Sequence, residues 1–301
     1  MSNRFVPLTP RIGAKVVMRK EEALDPANAD EITEALERHG VLLFPRIGLD
    51  DEEQVTFSNN LGKIIPMGAL REDGTHDPVY KITLDPKENP SGSVYLRNTI
   101  GWHIDGLFDD GPPAKATMLT AKRLSETGGQ TEFCSTYAAY DDLPERDKEY
   151  YESVGILHSL EASYRSTRPD AGEEDEASWR KVEAARERSG RRGTKEHPLV
   201  WHHRSGRKSL VLGMSVDHVV GMPEAESRAL LDKLLAHATR REIVYRHEWT
   251  VGDLLMWDNC GVMHRVVPYD PSSGRMMHRT TLYGVEKIAG VAPAQAVEGA
   301  R

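Results

Sequence analysis

The sequence predicts a mostly β fold, a sheet sandwich or barrel decorated by helices. Two observations point there. From residue 62 to about residue 135 the chain breaks into short β-like runs between turn residues, and the last third returns to strands. Helical periodicity is confined to the first sixty residues and one later segment, so strands and helices do not alternate as a parallel βαβ sheet requires. The 301 residues are 39% hydrophobic and 29% charged, enough apolar material for a core. One large β-rich domain over residues 1–301 is the expectation.

The elements follow in order. Residues 29–40 read as a helix stopped by Gly40, and Val41 to Phe44 as a short buried strand. Asp50 to Leu61 is a second helix, closed by Gly62. Val79 to Thr83, Val94 to Leu96 and Thr117 to Ala121 have the apolar and β-branched content of strands. Residues 163–196 are dense in Arg, Glu, Asp and Lys, which fits either a solvated excursion or a lid over a site. Ser209 to Leu212 is strand-like, and Met222 to Arg240 is a helix with Leu230, Leu231, Leu234, Leu235 and Ala238 on one face. Strands return at Glu242 to Trp249, Leu254 to Trp257 and Arg279 to Gly284.

Several functions are excluded. A net charge of −8 and the absence of a basic groove with interleaved aromatics argue against nucleic-acid binding. No apolar run approaches the roughly 18 residues of a membrane span, and residues 1–16 hold no apolar signal core, so a cytoplasmic protein is expected. Two cysteines, Cys134 and Cys260, are too few for a disulfide framework or a cysteine zinc site. No Gly-rich phosphate loop is present.

The chemistry lies in two histidine-bearing segments. In Trp102-His103-Ile104-Asp105-Gly106 the His and Asp are two apart, so on an extended segment they face the same side. His264 lies 161 residues after His103, beyond Trp257-Asp258-Asn259-Cys260-Gly261. Two His and one carboxylate hold one face of a metal and leave the opposite positions open, as in non-heme Fe(II) oxygenases. A tetrahedral zinc site is the competing geometry, although no H-E-x-x-H helix favours it. Arg275 and Arg279 follow His264 by 11 and 15 residues. Four apart on a strand they share a face, and two guanidinium forks beside a metal suit a dianionic co-substrate.

With these residues in view, the chain resembles the Fe(II)/2-oxoglutarate-dependent dioxygenases of the taurine dioxygenase and phenoxyacetate dioxygenase (TauD/TfdA) type. Trp102 to Asp105, Pro112-Pro113-Ala114, Thr127 to Thr131, Ala138-Ala139-Tyr140, His197 to Val200, Ser205 to Lys208, Trp257 to Asn259 and Met277 to Arg279 carry the resemblance, in family order, over about residues 5–285. The resemblance implies a double-stranded β-helix, a cupin-like jelly-roll with flanking helices. It implies that His103, Asp105 and His264 hold iron and that Thr131 and Arg275 hold the distal carboxylate of 2-oxoglutarate. It places Arg279 beside the iron, against the co-substrate or an anionic group of the substrate. The implied reaction consumes O2, releases succinate and CO2, and hydroxylates an unactivated C–H bond of a small, anionic organic molecule. Desaturation, epimerisation or C–X cleavage at the same iron is a variant outcome.

Relatives that take small sulfonates carry a histidine after the second helix, whereas this chain reads Gly62 to Met67 there, with His76 next, so taurine is not the expected substrate. Halogenating relatives lack the carboxylate that Asp105 supplies. Tyr95, Asn98 and Phe108, on either side of the metal motif, are candidate substrate contacts by position. A homo-oligomer, dimer or tetramer, is expected from the resemblance. The alternatives are a zinc hydrolase using the same His/Asp/His set and a non-catalytic cupin-like binding protein.

Overall fold

The computed structural model describes residues 4–85, 87–89, 99–107, 111–168, 179–180, 184 and 193–290. Among these the strands are β1 (Phe5–Pro7), β2 (Ala14–Val16), β3 (Val41–Phe44), β4 (Tyr80–Thr83), β5 (Ala116–Arg123), β6 (Thr131–Ser135), β7 (Gly155–Ser159) and β8 (Thr194–Pro198). They continue as β9 (Val200–His202), β10 (Lys208–Leu210), β11 (Val216–Val219), β12 (Val244–His247), β13 (Leu254–Asp258), β14 (Val262–Val266) and β15 (Met276–Thr281). Seven form one sheet in the order β1-β2-β3-β13-β5-β15-β4, and β12-β6-β14 form a second. This is the jelly-roll core expected from the sequence, with β11-β7-β8 and the β9–β10 hairpin appended.

Strand alternation separates two apolar layers. Leu42, Phe44, Ala116, Met118, Leu254 and Met256 face the N-terminal helices. Val41, Leu43, Leu119, Ala121, Leu255 and Trp257 point to the other side, where Phe133 of β6 and Val262 of β14 meet them. That inner layer is the interior of the roll. A third cluster, around Ile156, Leu199 and Trp201, packs the appended strands against helix Glu224–Ala238.

Two helices brace the large sheet. Helix Ala29–His39 buries Ile32, Ala35 and Leu36 and ends at Gly40, whose φ of +73° suits a residue without a side chain. A Cβ there would lie 2.9 Å from Val262 Cγ2. Helix Asp51–Leu61 starts at a capping box in which Asp50 accepts from the Glu53 amide and Glu53 answers to the Asp50 amide, a cap worth about 1 kcal/mol. Its buried Gln54 donates to His278 O and accepts from Thr120 Oγ1, and Ser58 Oγ lies 2.7 Å from Thr280 Oγ1. This polar seam ties the helix to β15, the strand that carries Arg279.

The structure corrects several boundaries. The predicted helix Met222 to Arg240 runs Glu224–Ala238, because Pro223 sets its start. The predicted strand Glu242 to Trp249 is a 3-10 turn, Arg241–Ile243, followed by β12. His264 follows β13 and the turn at residues 259–261, as the sequence indicates, and lies in the middle of a further strand, β14. The charged segment 163–196 is not wholly an excursion: Ser163 to Thr167 finish helix Leu160–Thr167, and Thr194 to Glu196 begin β8. Most of the residues between them, and Val94 to Leu96, lie outside the described residues. Both cysteines are buried free thiols.

Burial pushes His158 down to about 3 from an ordinary value of 6.5, with His197 adding to the shift. The unfolded chain therefore binds a proton between those values that the folded chain refuses, and stability falls as pH drops below about 6.5. His158 alone is expected to remove about 2 kcal/mol of stability at pH 5 relative to pH 8. Urea unfolding of the protein and of His158→Gln at the two pH values checks this; the variant should lose that part of the difference.

Candidate active site

The site begins with a backbone contact. The His103 amide donates to His264 O at 3.0 Å, and the His264 amide donates to His103 O at 2.9 Å. This reciprocal pair docks the His-x-Asp segment on β14 as one more antiparallel rung. Other bonds hold the segment from outside. Met214 N donates to Trp102 O at 2.8 Å, and His197 Nε2 lies 2.7 Å from Leu107 O.

The rung sets the imidazoles side by side, with ring centroids 4.2 Å apart. Asp105 closes the group: its Oδ1 lies 3.8 Å from His103 Nε2 and 4.0 Å from His264 Nε2. One ligand atom from each of the three falls within 4.8 Å of the others. His103 Nδ1 lies 2.8 Å from Gly101 O, so that nitrogen carries the proton and Nε2 keeps its lone pair. His264 is packed against the Trp257 ring at 4.6 Å.

The protonation states suit a cation. Burial lowers both histidines, His264 far below its ordinary value, so both rings are neutral at pH 7. Burial alone would raise Asp105, but the Arg279 guanidinium, the largest opposing influence, and the Thr117 hydroxyl hold the carboxyl below its ordinary value. Two neutral imidazoles and one carboxylate are a donor set for a divalent transition metal with open positions. The residues present therefore fit Fe(II).

Arg275 and Arg279 are both buried, not spread over the surface. Arg279 NH1 is 3.9 Å from Asp105 Oδ2, its NH2 donates to Met67 Sδ at 3.3 Å, and the guanidinium lies 5.6 Å over the Tyr80 ring. Arg275 lies just before β15 and lines a small cavity with His103, His264, Thr131, Leu119 and Trp257. Its NH2 donates to Gly129 O at 3.0 Å and its guanidinium sits 4.8 Å over Tyr269, while its Nε has no hydrogen-bond partner among the described residues. Gly129 allows this approach: its φ is +79°, and a Cβ there would meet Arg275 Nε at 2.9 Å. Thr131 Oγ1 accepts from Trp249 Nε1 at 3.0 Å, which leaves the hydroxyl proton free to donate into the cavity.

The structure thus gathers His103, Asp105, His264, Thr131, Arg275 and Arg279 in one place. Tyr95, Asn98 and Phe108 lie outside the described residues. Cys260 is a packed thiol, 4% exposed, and burial raises its pKa. His76, the first histidine after the second helix, has its Nδ1 2.9 Å from Gly68 O. Sequence reading missed Met67, Tyr80, Thr117 and Gly129 as neighbours of the site. For Thr117 the only signal was a hydroxyl at the start of the strand-like run Thr117 to Ala121, a signal that Thr120 shares.

The chain is similar to known oxygenases. The profile described as "Taurine catabolism dioxygenase TauD, TfdA family" matches residues 4–281. The alpha-ketoglutarate-dependent 2,4-dichlorophenoxyacetate dioxygenase of Cupriavidus pinatubonensis is 34% identical, over 91% of this chain and 96% of that protein. The alpha-ketoglutarate-dependent sulfate ester dioxygenase of Pseudomonas putida is 32% identical, over 92% and 88%. Among solved structures, that of AAD-2 in complex with Mn(II) and N-oxalylglycine superposes with a TM-score of 0.75 at 30% identity, over 95% of this chain and 98% of that one.

Replacing His103 by Ala is expected to lower bound metal at least tenfold after anaerobic Fe(II) loading and desalting, with an unchanged circular dichroism spectrum. Metal analysis of parent and variant checks this; equal content would mean that the three side chains do not form the metal site.

Proposed function

We propose a function from one premise: the chain belongs to the taurine catabolism dioxygenase TauD, TfdA family and is an Fe(II)/2-oxoglutarate-dependent dioxygenase, using Fe(II), 2-oxoglutarate and O2. The premise displaces the zinc-hydrolase and binding-protein alternatives. The reading is that this enzyme hydroxylates an unactivated C–H bond of a small organic anion. Its metal ligands are His103 Nε2, His264 Nε2 and Asp105 Oδ1. Thr131 and Arg275 hold the distal carboxylate of 2-oxoglutarate. The supporting observation is that His103 and His264, clustered with Asp105, line one cavity with the buried Arg275.

When bound, the metal and 2-oxoglutarate supply the oxidising chemistry, with succinate and CO2 released and one oxygen atom delivered to the substrate. The protein's own part is to bind, orient and keep dry. The neutral imidazoles present lone pairs, and Asp105 stays ionised beside Arg279. Arg275 offers Nε and the Thr131 hydroxyl its proton, the donors that one carboxylate accepts. Trp257, Leu119 and Val266 exclude water around them.

Arg279 carries the substrate reading. Its NH2 touches a thioether sulfur, a weak acceptor. A substrate carboxylate or sulfate is a stronger one, and binding it there would displace Met67. The two relatives named above for phenoxyacetate and sulfate ester substrates fit an anionic class. Hydroxylation at a carbon bearing an ether or ester oxygen would give C–O cleavage on collapse of the product, so cleavage is an outcome within the same reading.

Succinate formation with Fe(II), ascorbate and 2-oxoglutarate, across a panel of aryloxyacetates, alkyl sulfates and alkyl sulfonates, tests the substrate class. Stimulation by anions and not by their methyl esters or alcohols is expected. Arg275→Met removes a charge-assisted pair worth about 1.5–3 kcal/mol, so the KM for 2-oxoglutarate should rise roughly 10- to 100-fold. An unchanged KM would remove Arg275 from the co-substrate site.

A further inference from the structure

We infer that Thr117, Asn259 and Trp257 form a one-way chain of hydrogen bonds that positions the carboxylate of Asp105. The inference rests on the reading of His103, Asp105 and His264 as the metal site. Trp257 Nε1 donates to Asn259 Oδ1 at 3.1 Å, Asn259 Nδ2 donates to Thr117 Oγ1 at 2.9 Å, and Thr117 Oγ1 donates to Asp105 Oδ2 at 3.0 Å. The three supporting side chains are at most 2% exposed.

The ends of the chain fix its direction. An indole N–H can only donate, and an ionised carboxylate can only accept. Trp257 therefore holds the Asn259 amide with its oxygen inward and its NH2 toward Thr117. That NH2 occupies a lone pair of the Thr117 hydroxyl, whose single proton is left for Asp105. Reversing any one bond would set donor against donor or acceptor against acceptor in a buried place, which costs more than the bond is worth.

The backbone makes the line-up possible. Trp257 on β13 pairs directly with Thr117 on β5, and the Asn259 amide donates to Lys115 O at 3.1 Å just before β5 begins. Sheet register thus places all three residues, and the His-x-Asp segment arrives from the other direction through the His103–His264 rung. The consequence falls on Asp105. Its Oδ2 is engaged by Thr117, with Arg279 NH1 3.9 Å away. Oδ1 is the oxygen left facing the two Nε2 atoms. In this role Thr117, Asn259 and Trp257 act through Asp105, as positioning residues; Trp257 also lines the cavity.

The test measures metal binding, not turnover. Metal-free protein is titrated with Mn(II), and its melting temperature is measured without metal. Thr117→Val and Thr117→Ala, which cannot donate, should weaken Mn(II) about 10- to 100-fold. Thr117→Ser keeps the hydroxyl and should stay within about threefold of the parent, at an apo melting temperature no higher than that of Thr117→Val. Trp257→Phe, which removes the far donor together with part of the ring packed on His264, should give a smaller loss in the same direction than Thr117→Val. Thr117→Ala decides the matter if the valine variant does not fold. Parent-like Mn(II) affinity in the folded donor-less variants, or an equal loss in Thr117→Ser, would overturn the inference. His264→Ala separates this from the metal-site reading: if it binds Mn(II) as the parent does, the site assignment fails, not the positioning chain.

Discussion

The site depends on two hydrogen bonds between residues 161 positions apart in sequence, the reciprocal amide–carbonyl pair of His103 and His264. Neither histidine is placed by its own neighbours in the chain. β14 presents His264 because β6 pairs with it on one side, with His264 opposite Phe133. His103 is presented because its segment adds to the free side of β14 for a single rung. A slip of one residue in either strand would turn a ring away from its partner, since side chains alternate. The jelly-roll is therefore part of the site: its inner apolar layer enforces the register that the two rings require.

Burial and charge then divide the labour. Removing the imidazoles from water keeps them neutral, while the same burial pushes the Asp105 carboxyl up. Arg279 resolves that conflict. It sits on β15, which helix Asp51–Leu61 holds through Gln54 and Ser58, so the helix outside the sheet serves the carboxylate inside it. Arg275, four residues earlier, faces a different task. No carboxylate partners it among the described residues, and its contacts are a carbonyl and a ring face. A guanidinium buried on those terms is expensive unless an anion joins it, which is the physical content of the co-substrate assignment.

The fold class was legible in the sequence, and residue types picked out the candidate site. His103, Asp105, His264, Arg275 and Arg279 stood out by residue type and spacing, and Thr131 only through the resemblance; the fold brings the six together. The strands closing the roll were harder to read. Thr131–Ser135 mixes polar and apolar residues because Phe133 meets the inner layer, Cys134 packs in a second apolar cluster, and Glu132 beside it pairs with Arg265. His264 was legible as following a strand and a turn, but the Asn and Gly before it hid that β14 begins directly behind them and holds it. Thr117 and Asn259 could not be paired from sequence at all. They stand 142 residues apart, and only the β5–β13 register brings them together.

The central claim is that this fold presents one face of a metal to a 2-oxoglutarate molecule held by Arg275. Anaerobic optical titration of the Fe(II)-loaded protein with 2-oxoglutarate tests it most directly. Chelation at an open facial site should produce a weak visible absorption band that saturates at one equivalent. A protein that retains its iron but shows no band at excess 2-oxoglutarate would contradict the account.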